Sequence, residues 1–204
     1  MNFEKTINDV AHLHTERHAH IVYGLIRWLK CRHVLEIGAF AGYLSAWISK
    51  ALDDNGLPDS KLYIIDDFSL GNNNPANITN VLAALNIQTP VFIYPCKSQE
   101  LEWPFDLDLI VIDGDHSYEG CKSDFIRAVQ RTPQCIILHD TISWWGPRKL
   151  IEEDLTEIYE ICNSPKYDMI NVNFDCGLAV FIRSDPKPPT EFTEGKGVKE
   201  KKRK

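Results

Sequence analysis

Two short runs of acidic and histidine side chains carry the residue types best suited to chemistry in this chain of 204 residues. Asp113-Gly114-Asp115-His116-Ser117-Tyr118-Glu119 crowds three ionisable groups around one glycine, and the pair His139-Asp140 follows later. Clustered carboxylates cost free energy unless a cation or a proton transfer makes use of them. Each run follows an apolar segment, so two adjacent parallel strands would bring Asp113 next to His139 and Asp140. This convergence predicts a cation site that favours Mg²⁺, and the histidine leaves Mn²⁺, Fe²⁺ or Zn²⁺ open.

Simpler roles remain open for some of these side chains. Asp113 could only cap the following helix, a role that Ser117 could also fill. His139 could be a buried histidine with satisfied hydrogen bonds. Further upstream, His14 and His18 share a helix face at a spacing of four residues, which can hold a metal ion. Because that motif has no third metal ligand, we favour either a solvated helix face or a lid that covers a bound molecule, and not a metal site.

A glycine turn after a buried strand is the next feature. The run 34–37 is apolar enough for an inner parallel strand, and Gly38 lets the chain turn sharply at its end. Gly42 lets the next helix approach closely, which is how α/β proteins make room for a nucleotide-like ligand. The dinucleotide fingerprint G-x-G-x-x-G would need glycine where Phe40 stands. Glu36 would repel a pyrophosphate, so we expect a ligand with a cationic amino-acid end instead.

Acidic residues also follow the second apolar run, 61–65. In sheets of this kind the acid after strand two binds ribose hydroxyls. Asp66 and Asp67 compete for this role, and Asp66 is favoured because it directly ends the apolar run. Phe68 could then flank an adenine ring. The alternative is that Asp66 caps a turn and that Asp67 faces water.

Apolar and polar periodicity predicts the elements that must position these groups. Strands are expected at 33–37, 61–65, 91–94, 107–112, 135–138, 167–173 and 177–183. Helices are expected at 6–30 and 43–53, from the end of the loop 71–75 to about 86, at 117–131, and from Pro147 to about 161. Strands and helices thus alternate five times before a terminal strand pair. The pattern predicts an α/β fold with a doubly wound, Rossmann-like sheet, mostly parallel with an antiparallel last strand and helices on both faces.

The motifs resemble those of the class I S-adenosylmethionine-dependent methyltransferases. Glu36-x-Gly38-x-x-x-Gly42 matches the first motif of that superfamily and Asp66 its second, and the resemblance covers about residues 30–183. It implies a seven-stranded sheet and S-adenosylmethionine as the cofactor, with Ser98, or alternatively Glu100, on the adenine side. The implied cofactor-binding set comprises Glu36, Gly38, Ala39, Phe40, Gly42, Asp66, Asp67, Phe68, Ser98 and Asp113.

The D-G-D-H-S-Y-E run, followed by Lys122 and Asp124, is similar to that of macrocin-type and sugar O-methyltransferases, with catechol-type enzymes more distant. The resemblance implies that Asp113 and Asp140 bind a metal and that His116 or Asp115 is the base. His139 stands where that group has a carboxylate, and we include it as the third predicted metal ligand. The implied reaction is metal-assisted O-methylation of a small-molecule hydroxyl on a sugar, glycoside or phenol.

Two aromatic residues and two other function classes complete this hypothesis. Trp144 and Trp145 could line an acceptor pocket or pack the helix near Pro147. One alternative function is a regulatory or scaffold protein that binds S-adenosylmethionine without turnover. The other is a different metal-dependent enzyme on the same fold. The intact set of Asp113, His116 and Asp140 argues against a decayed site.

Composition and charge limit the partners. The net charge is −7, but residues 195–204 carry +5, so the remaining chain carries −12. An acidic body disfavours nucleic acid as a partner. No apolar run approaches the roughly 20 residues of a membrane span, and the N-terminus lacks the pattern of a signal peptide. Six cysteines without a C-x-x-C pair indicate reduced thiols and a cytoplasmic protein.

The domain organisation follows from the same patterns. We expect a single methyltransferase domain over 1–185, with 1–30 as an N-terminal helical lid. A Pro-rich and then basic disordered tail is expected over 186–204. The N-terminal helix could also pack against a second copy of the chain in a homo-oligomer.

Overall fold

The computed structural model describes residues 3–11, 17–71, 73–104 and 106–185, and within them seven strands pair into one sheet. The sheet has the order β3-β2-β1-β4-β5-β7-β6, in which neighbours are parallel except that β7 runs antiparallel to β5 and β6. In chain order the strands are β1 (His33–Ile37), β2 (Lys61–Ile65), β3 (Val91–Tyr94), β4 (Leu109–Ile112), β5 (Cys135–His139), β6 (Tyr167–Val172) and β7 (Leu178–Arg183).

Helices cover both faces of the sheet, since alternate residues of each strand point to opposite sides. One core contains Val34 of β1 together with residues of α1 (Phe3–Ala11), α2 (His18–Leu29), α3 (Tyr43–Asn55) and α4 (Pro75–Ala84). The other contains Leu35 and Ile37 of β1 with residues of α5 (Tyr118–Arg131), α6 (Trp145–Glu152) and α7 (Thr156–Ile161). A short 3₁₀ helix, Ser98–Glu100, follows β3. The predicted fold class is therefore confirmed.

Two predicted helices are each divided in the structure. Within 6–30 there are α1 and α2, and between them residues 12–16 lie outside the described part of the chain. The span from Pro147 to about 161 contains α6 and α7, because the backbone of Glu153 is extended (φ −82°, ψ 155°) and ends α6. Asp154 Oδ1 then accepts the backbone N–H of Thr156 (2.9 Å) at the start of α7. Helix α6 begins at Trp145, so Pro147 lies within its first turn, where a missing N–H costs no intrahelical bond.

Other expectations are met only in part. All six cysteines are free thiols, and Cys31, Cys121 and Cys135 are buried. Among the helices of the described residues, none has the length and apolar character needed to cross a membrane. The predicted tail, 186–204, and His14 of the predicted histidine pair lie outside the described residues. The domain boundaries, including the lid over 1–30, stay predictions.

The order of the strands determines where a ligand can bind. β1 and β4 are adjacent at the centre of the sheet, and the chain leaves them toward opposite edges. Such a reversal opens a crevice beyond the carboxyl ends of the strands. The glycine turn after β1 and the acidic run after β4 both begin there.

Candidate functional site

A cavity of about 900 Å³ lies at this edge of the sheet. It is lined by the ends of β1 and β2, by the turns after β1, β2 and β4, and by the end of β5. A volume of this size suits a ligand as large as a nucleoside. Most residues of the predicted site line this cavity, namely Gly38, Ala39, Phe40, Asp66, Asp67, Phe68, Ser98, Asp113, Asp115, His116, His139 and Asp140.

The glycine turn is packed against the acidic run. Gly38 has φ +84°, and a Cβ placed there would lie 2.1 Å from the backbone oxygen of Asp113. The Asp113 N–H donates to the carbonyl of Ile37 (2.8 Å), so the two turns are joined by a hydrogen bond as well. Gly42 has φ +87° and begins α3, where a Cβ would meet Ile78 at 3.2 Å. It shapes the turn without lining the cavity.

The acids after β2 hold the loops around the cavity. Asp66 Oδ2 accepts the backbone N–H groups of Ala39 (2.7 Å) and Phe40 (2.8 Å), and its Oδ1 accepts that of Phe68 (2.6 Å). The turn-capping alternative for Asp66 is thus observed, and the carboxylate also faces the cavity. Asp67 lies beside it and accepts the N–H of Ser69 (2.9 Å), so both acids remain candidates for the ribose contact.

Ser98 is held by a buried carboxylate that had no assigned role in the predicted site. Its hydroxyl donates to Asp124 Oδ1 (2.6 Å), while Asp124 Oδ2 has no hydrogen-bond partner among the described residues. Burial raises the pKa of Asp124 to about 6. Asp124 thereby fixes the orientation of Ser98 from behind the cavity wall.

Glu36 does not stand where the motif predicted it. Its side chain is fully buried, and its Oε2 accepts the hydroxyl proton of Ser45 (2.6 Å) in α3. In a strand, neighbouring side chains point to opposite faces, so Glu36 points toward α3 like Val34. Glu36 is not one of the described residues that line the cavity. The carboxylate therefore anchors α3 to β1 rather than facing a bound ligand.

Four ionisable side chains meet at the ends of β4 and β5. His116 Nε2 lies 3.2 Å from Asp113 Oδ1 and 3.3 Å from Asp140 Oδ2. His139 Nδ1 lies 3.3 Å from Asp113 Oδ1 and 3.3 Å from Asp140 Oδ1. The ligand atoms of Asp113, His139 and Asp140 all lie within 4.8 Å of one another, so the structure brings the predicted metal-binding residues together.

The four side chains of this cluster shift the pKa values of one another. Burial opposes a charge on His116 and His139, but the two carboxylates outweigh it and raise the pKa of both histidines. Burial also opposes ionisation of Asp113 and Asp140, yet the neighbouring histidines lower the pKa of both carboxyl groups. The carboxylates are therefore ionised at neutral pH, as a cation site or a proton relay requires.

Helix capping is carried out by other residues than Asp113. Ser117 is the N-cap of α5, and its hydroxyl accepts the N–H of Gly120 (3.0 Å). Asp115 Oδ1 accepts the N–H of Ser117 (2.9 Å), and the Asp115 side chain packs over Gly120, where a Cβ would lie 2.4 Å from its carboxyl carbon. Asp115 is thus tied to the helix start, whereas His116 faces the acidic cluster.

The two tryptophans take different roles. Trp144 lines the cavity, is half-exposed and stacks on His116, with ring centroids 4.9 Å apart and planes inclined by 24°. Trp145 points away from the cavity toward Tyr118, at a centroid distance of 6.1 Å. Of the two tryptophans, Trp144 is the one that lines the cavity, and Trp145 lies at the start of α6.

Two residues outside the predicted site lie beside His139. His18 is buried, and its Nδ1 lies 3.2 Å from His139 Nε2. Cys176, in the turn before β7, lies 3.4 Å from His18 Nδ1. The interpretation of His18 as part of a solvated face is therefore wrong. The histidine-rich stretch 12–20 was a visible signal, but a partner 121 residues away could not be inferred from it.

Comparisons with known proteins agree with this architecture. A family model described as a methyltransferase domain matches residues 35–141. No curated protein sequence matches the chain. Among solved structures, the O-methyltransferase TomG from Streptomyces achromogenes, involved in tomaymycin synthesis and solved with S-adenosylmethionine, is 15% identical at a TM-score of 0.62. The match covers 90% of this chain and 89% of TomG.

Two further structures share the fold. A methyltransferase from Geobacter sulfurreducens is 13% identical with a TM-score of 0.60, covering 90% of this chain and 88% of its own. An O-methyltransferase from Bacillus cereus, solved with S-adenosylhomocysteine, is 12% identical with a TM-score of 0.58, covering 89% and 90%. At such low identity these likenesses show the fold alone.

Proposed function

The chain belongs to the methyltransferase-domain family, an S-adenosylmethionine-dependent enzyme family, and on that premise we propose that it methylates a hydroxyl group of a small molecule. The observation that carries the proposal is the convergence of Asp113, His116 and Asp140 on the same cavity as the glycine turn. Proton-accepting groups and a cofactor-sized space thus share one chamber. When bound, S-adenosylmethionine supplies an electrophilic methyl group.

The residues present fit that cofactor. Gly38 has no side chain where a Cβ would collide with Asp113, which leaves the turn close to the sheet and the cavity open. We propose that the turn 38–40 holds the methionine end, that Asp66 or Asp67 binds the ribose, and that Phe68 and Ser98 lie on the adenine side. Asp66 supports this assignment because it fixes the turn and faces the cavity at once.

The acidic cluster fits a divalent cation. Two carboxylates favour Mg²⁺, and the histidine nitrogen leaves Mn²⁺, Fe²⁺ or Zn²⁺ open; Asp113, His139 and Asp140 would hold the ion. A cation there would lower the pKa of an acceptor hydroxyl. Asp113 and Asp140 would also orient His116, whose Nε2 lies between their oxygens.

His116 is favoured over Asp115 as the base. Its Nε2 faces the cluster, and the ring of Trp144 stacks against it, which holds the imidazole in one orientation. We propose that the neutral imidazole of His116 takes the proton of the acceptor hydroxyl, while Asp113 and Asp140 accept from Nε2 and stabilise the resulting imidazolium. The exposed face of Trp144 suits an acceptor with a sugar or aromatic ring, in keeping with the macrocin-type and catechol-type resemblance.

Calorimetry with S-adenosylmethionine tests the proposal directly. We expect one molecule bound per chain, and release of S-adenosylhomocysteine when a panel of catechols, phenols and glycosides is added with Mg²⁺. Absence of cofactor binding by the intact protein would overturn the proposal. Binding without turnover on any ring-bearing acceptor would contradict the assignment of the acceptor class.

The base is tested by a pair of variants. His116→Gln is expected to lower kcat by roughly 10² to 10⁴, the contribution of a positioned general base. Asp115→Asn should change kcat by less than about tenfold, because an amide oxygen can still accept the Ser117 N–H. Both are compared at equal cofactor saturation, using the acceptor found in the panel. The reverse ranking of the two variants would assign the base to Asp115.

A further inference from the structure

Three donor atoms from distant segments meet behind the acidic cluster. They are Nδ1 of His18 at the start of α2, Nε2 of His139 at the end of β5, and Sγ of Cys176 in the turn before β7. His18 Nδ1 lies 3.2 Å from His139 Nε2. Cys176 Sγ lies 3.4 Å from His18 Nδ1 and 3.8 Å from His139 Nε2. Only His139 has a role in the proposed methyl transfer.

These separations match a tetrahedral zinc site. Zinc binds histidine nitrogen at about 2.0–2.1 Å and thiolate sulfur at about 2.3 Å. Tetrahedral angles then place two nitrogens about 3.3 Å apart and a nitrogen about 3.6 Å from the sulfur. The three observed distances fall within about 0.2 Å of these values. Cys176 Sγ also lies 3.9 Å from His139 Nδ1, so it stands beside the imidazole ring and not in line with the Nε2 lone pair. Binding a common ion therefore requires the Cys176 side chain to turn toward Nε2.

The outer hydrogen bonds of both histidines set the required tautomers. His18 Nε2 lies 3.1 Å from the carbonyl of Phe174, so this nitrogen carries the proton and donates it. His139 Nδ1 faces the oxygens of Asp113 and Asp140, so it too is the donor on that side. In the protonated ring, which the raised pKa of His139 favours, Nε2 donates to His18 Nδ1. Once that proton is lost, the lone pairs of the two nitrogens face each other. Two acceptors at 3.2 Å repel unless a proton or a cation lies between them.

We propose that His18, His139 and Cys176 form a zinc site whose fourth position faces the cavity. The thiolate favours zinc over Mg²⁺ or Ca²⁺, and carboxylate acceptors on the other face of a ligating histidine are typical of zinc sites. His139 and Cys176 both line the cavity, so a water or a substrate atom can reach the ion. The site adjoins the carboxylate-bound cation of the proposed function and has His139 in common with it.

The two cation sites share one imidazole. With zinc on Nε2, His139 keeps its Nδ1 proton and donates it to Asp113 and Asp140. Zinc binding would therefore take His139 out of the hard-cation site proposed above, which would keep Asp113 and Asp140 as its ligands. Zinc also joins α2 to the end of β5 and to the β6–β7 turn, so its binding stabilises the attachment of α2 to the sheet.

Metal titration of the full chain tests the site independently of methyl transfer. The reduced protein is treated with a chelator and then titrated with Zn²⁺ and, separately, with Co²⁺. We expect one tight zinc ion per chain, a rise in Tm on zinc binding, and a near-ultraviolet thiolate-to-cobalt absorption band with tetrahedral visible bands. A wild-type cobalt complex without the thiolate band would overturn the site, whatever the variants show. In that case a proton on His139 occupies the space between the two rings.

Matched thiol variants locate the site. Cys176→Ser is expected to remove the thiolate band and to weaken zinc binding by at least about tenfold. Cys162→Ser, at another partly buried thiol, should leave both unchanged. His18→Gln should weaken zinc binding like Cys176→Ser while the thiolate band, if any cobalt binds, keeps its intensity per ion. Retention of the band and of zinc affinity in Cys176→Ser would overturn the proposal.

Discussion

A Gly38→Ala variant is expected to bind S-adenosylmethionine at least about a hundredfold more weakly than the wild-type protein. A methyl group at this position would lie 2.1 Å from the carbonyl oxygen of Asp113 and 2.8 Å from Cα of Gly114, both of which are backbone atoms. Backbone cannot rotate away as a side-chain end can, so the turn after β1 must shift. A loss of about 3 kcal/mol, the upper range of overpacking costs, corresponds to that factor.

Gly56→Ala separates this collision from backbone strain. Gly56 also has a positive φ, +60°, but nothing lies within 4 Å of a Cβ placed there. It is the C-cap of α3 and is not one of the described residues that line the cavity. We expect cofactor affinity within about threefold of wild type and a loss of stability of about 1 kcal/mol, the cost of alanine in this conformation. Calorimetry and thermal unfolding measure both quantities, and equal losses of affinity would contradict the role of the turn.

An Asp140→Asn variant is expected to keep cofactor binding and to lose metal-stimulated turnover by about a hundredfold or more. Asp140 has φ 60°, a conformation that asparagine tolerates and alanine does not, so the backbone stays in place. The substitution removes one of two carboxylates that face His116 and His139. It therefore removes a proposed cation ligand and the smaller of the two carboxylate contributions that raise the pKa of His116, the larger being that of Asp113.

Asp59→Asn is the control for this change. Asp59 also has a positive φ, 62°, and precedes β2. It is not one of the described residues that line the cavity. Turnover is measured for both variants with and without Mg²⁺ and after treatment with a chelator. If the chelator changes the turnover of neither the wild-type protein nor Asp140→Asn, methyl transfer does not depend on a carboxylate-bound cation. If Asp140→Asn retains full turnover, the acidic cluster is not the reacting site.

The position of the cavity could be predicted because it depends on local patterns. The apolar runs that became β4 and β5 are each followed by their acidic residues, and adjacent parallel strands end at the same edge. Asp113 and Asp140 therefore had to meet once the strand order was known. The glycine turn was recognisable for the same reason, since Gly38 must adopt a positive φ directly at a strand end.

What could not be predicted depends on contacts that span the chain. His18 meets His139 and Cys176 only because α2 packs at the end of β5, and no local pattern records that packing. The direction of the Glu36 side chain follows from strand alternation and not from the motif that contains it. Residues Val34 and Glu36 share a face of β1, and that face is covered by α3.

The close contact between Gly38 and the Asp113 backbone couples two sides of the cavity, namely the glycine turn after β1 and the acidic run after β4. The turn proposed for the cofactor cannot move without displacing the turn that carries Asp113. Occupancy on one side therefore changes the affinity on the other, and linkage requires the same factor in both directions. An acceptor that tightens cofactor binding is itself bound more tightly, by the same factor, by the cofactor-loaded protein.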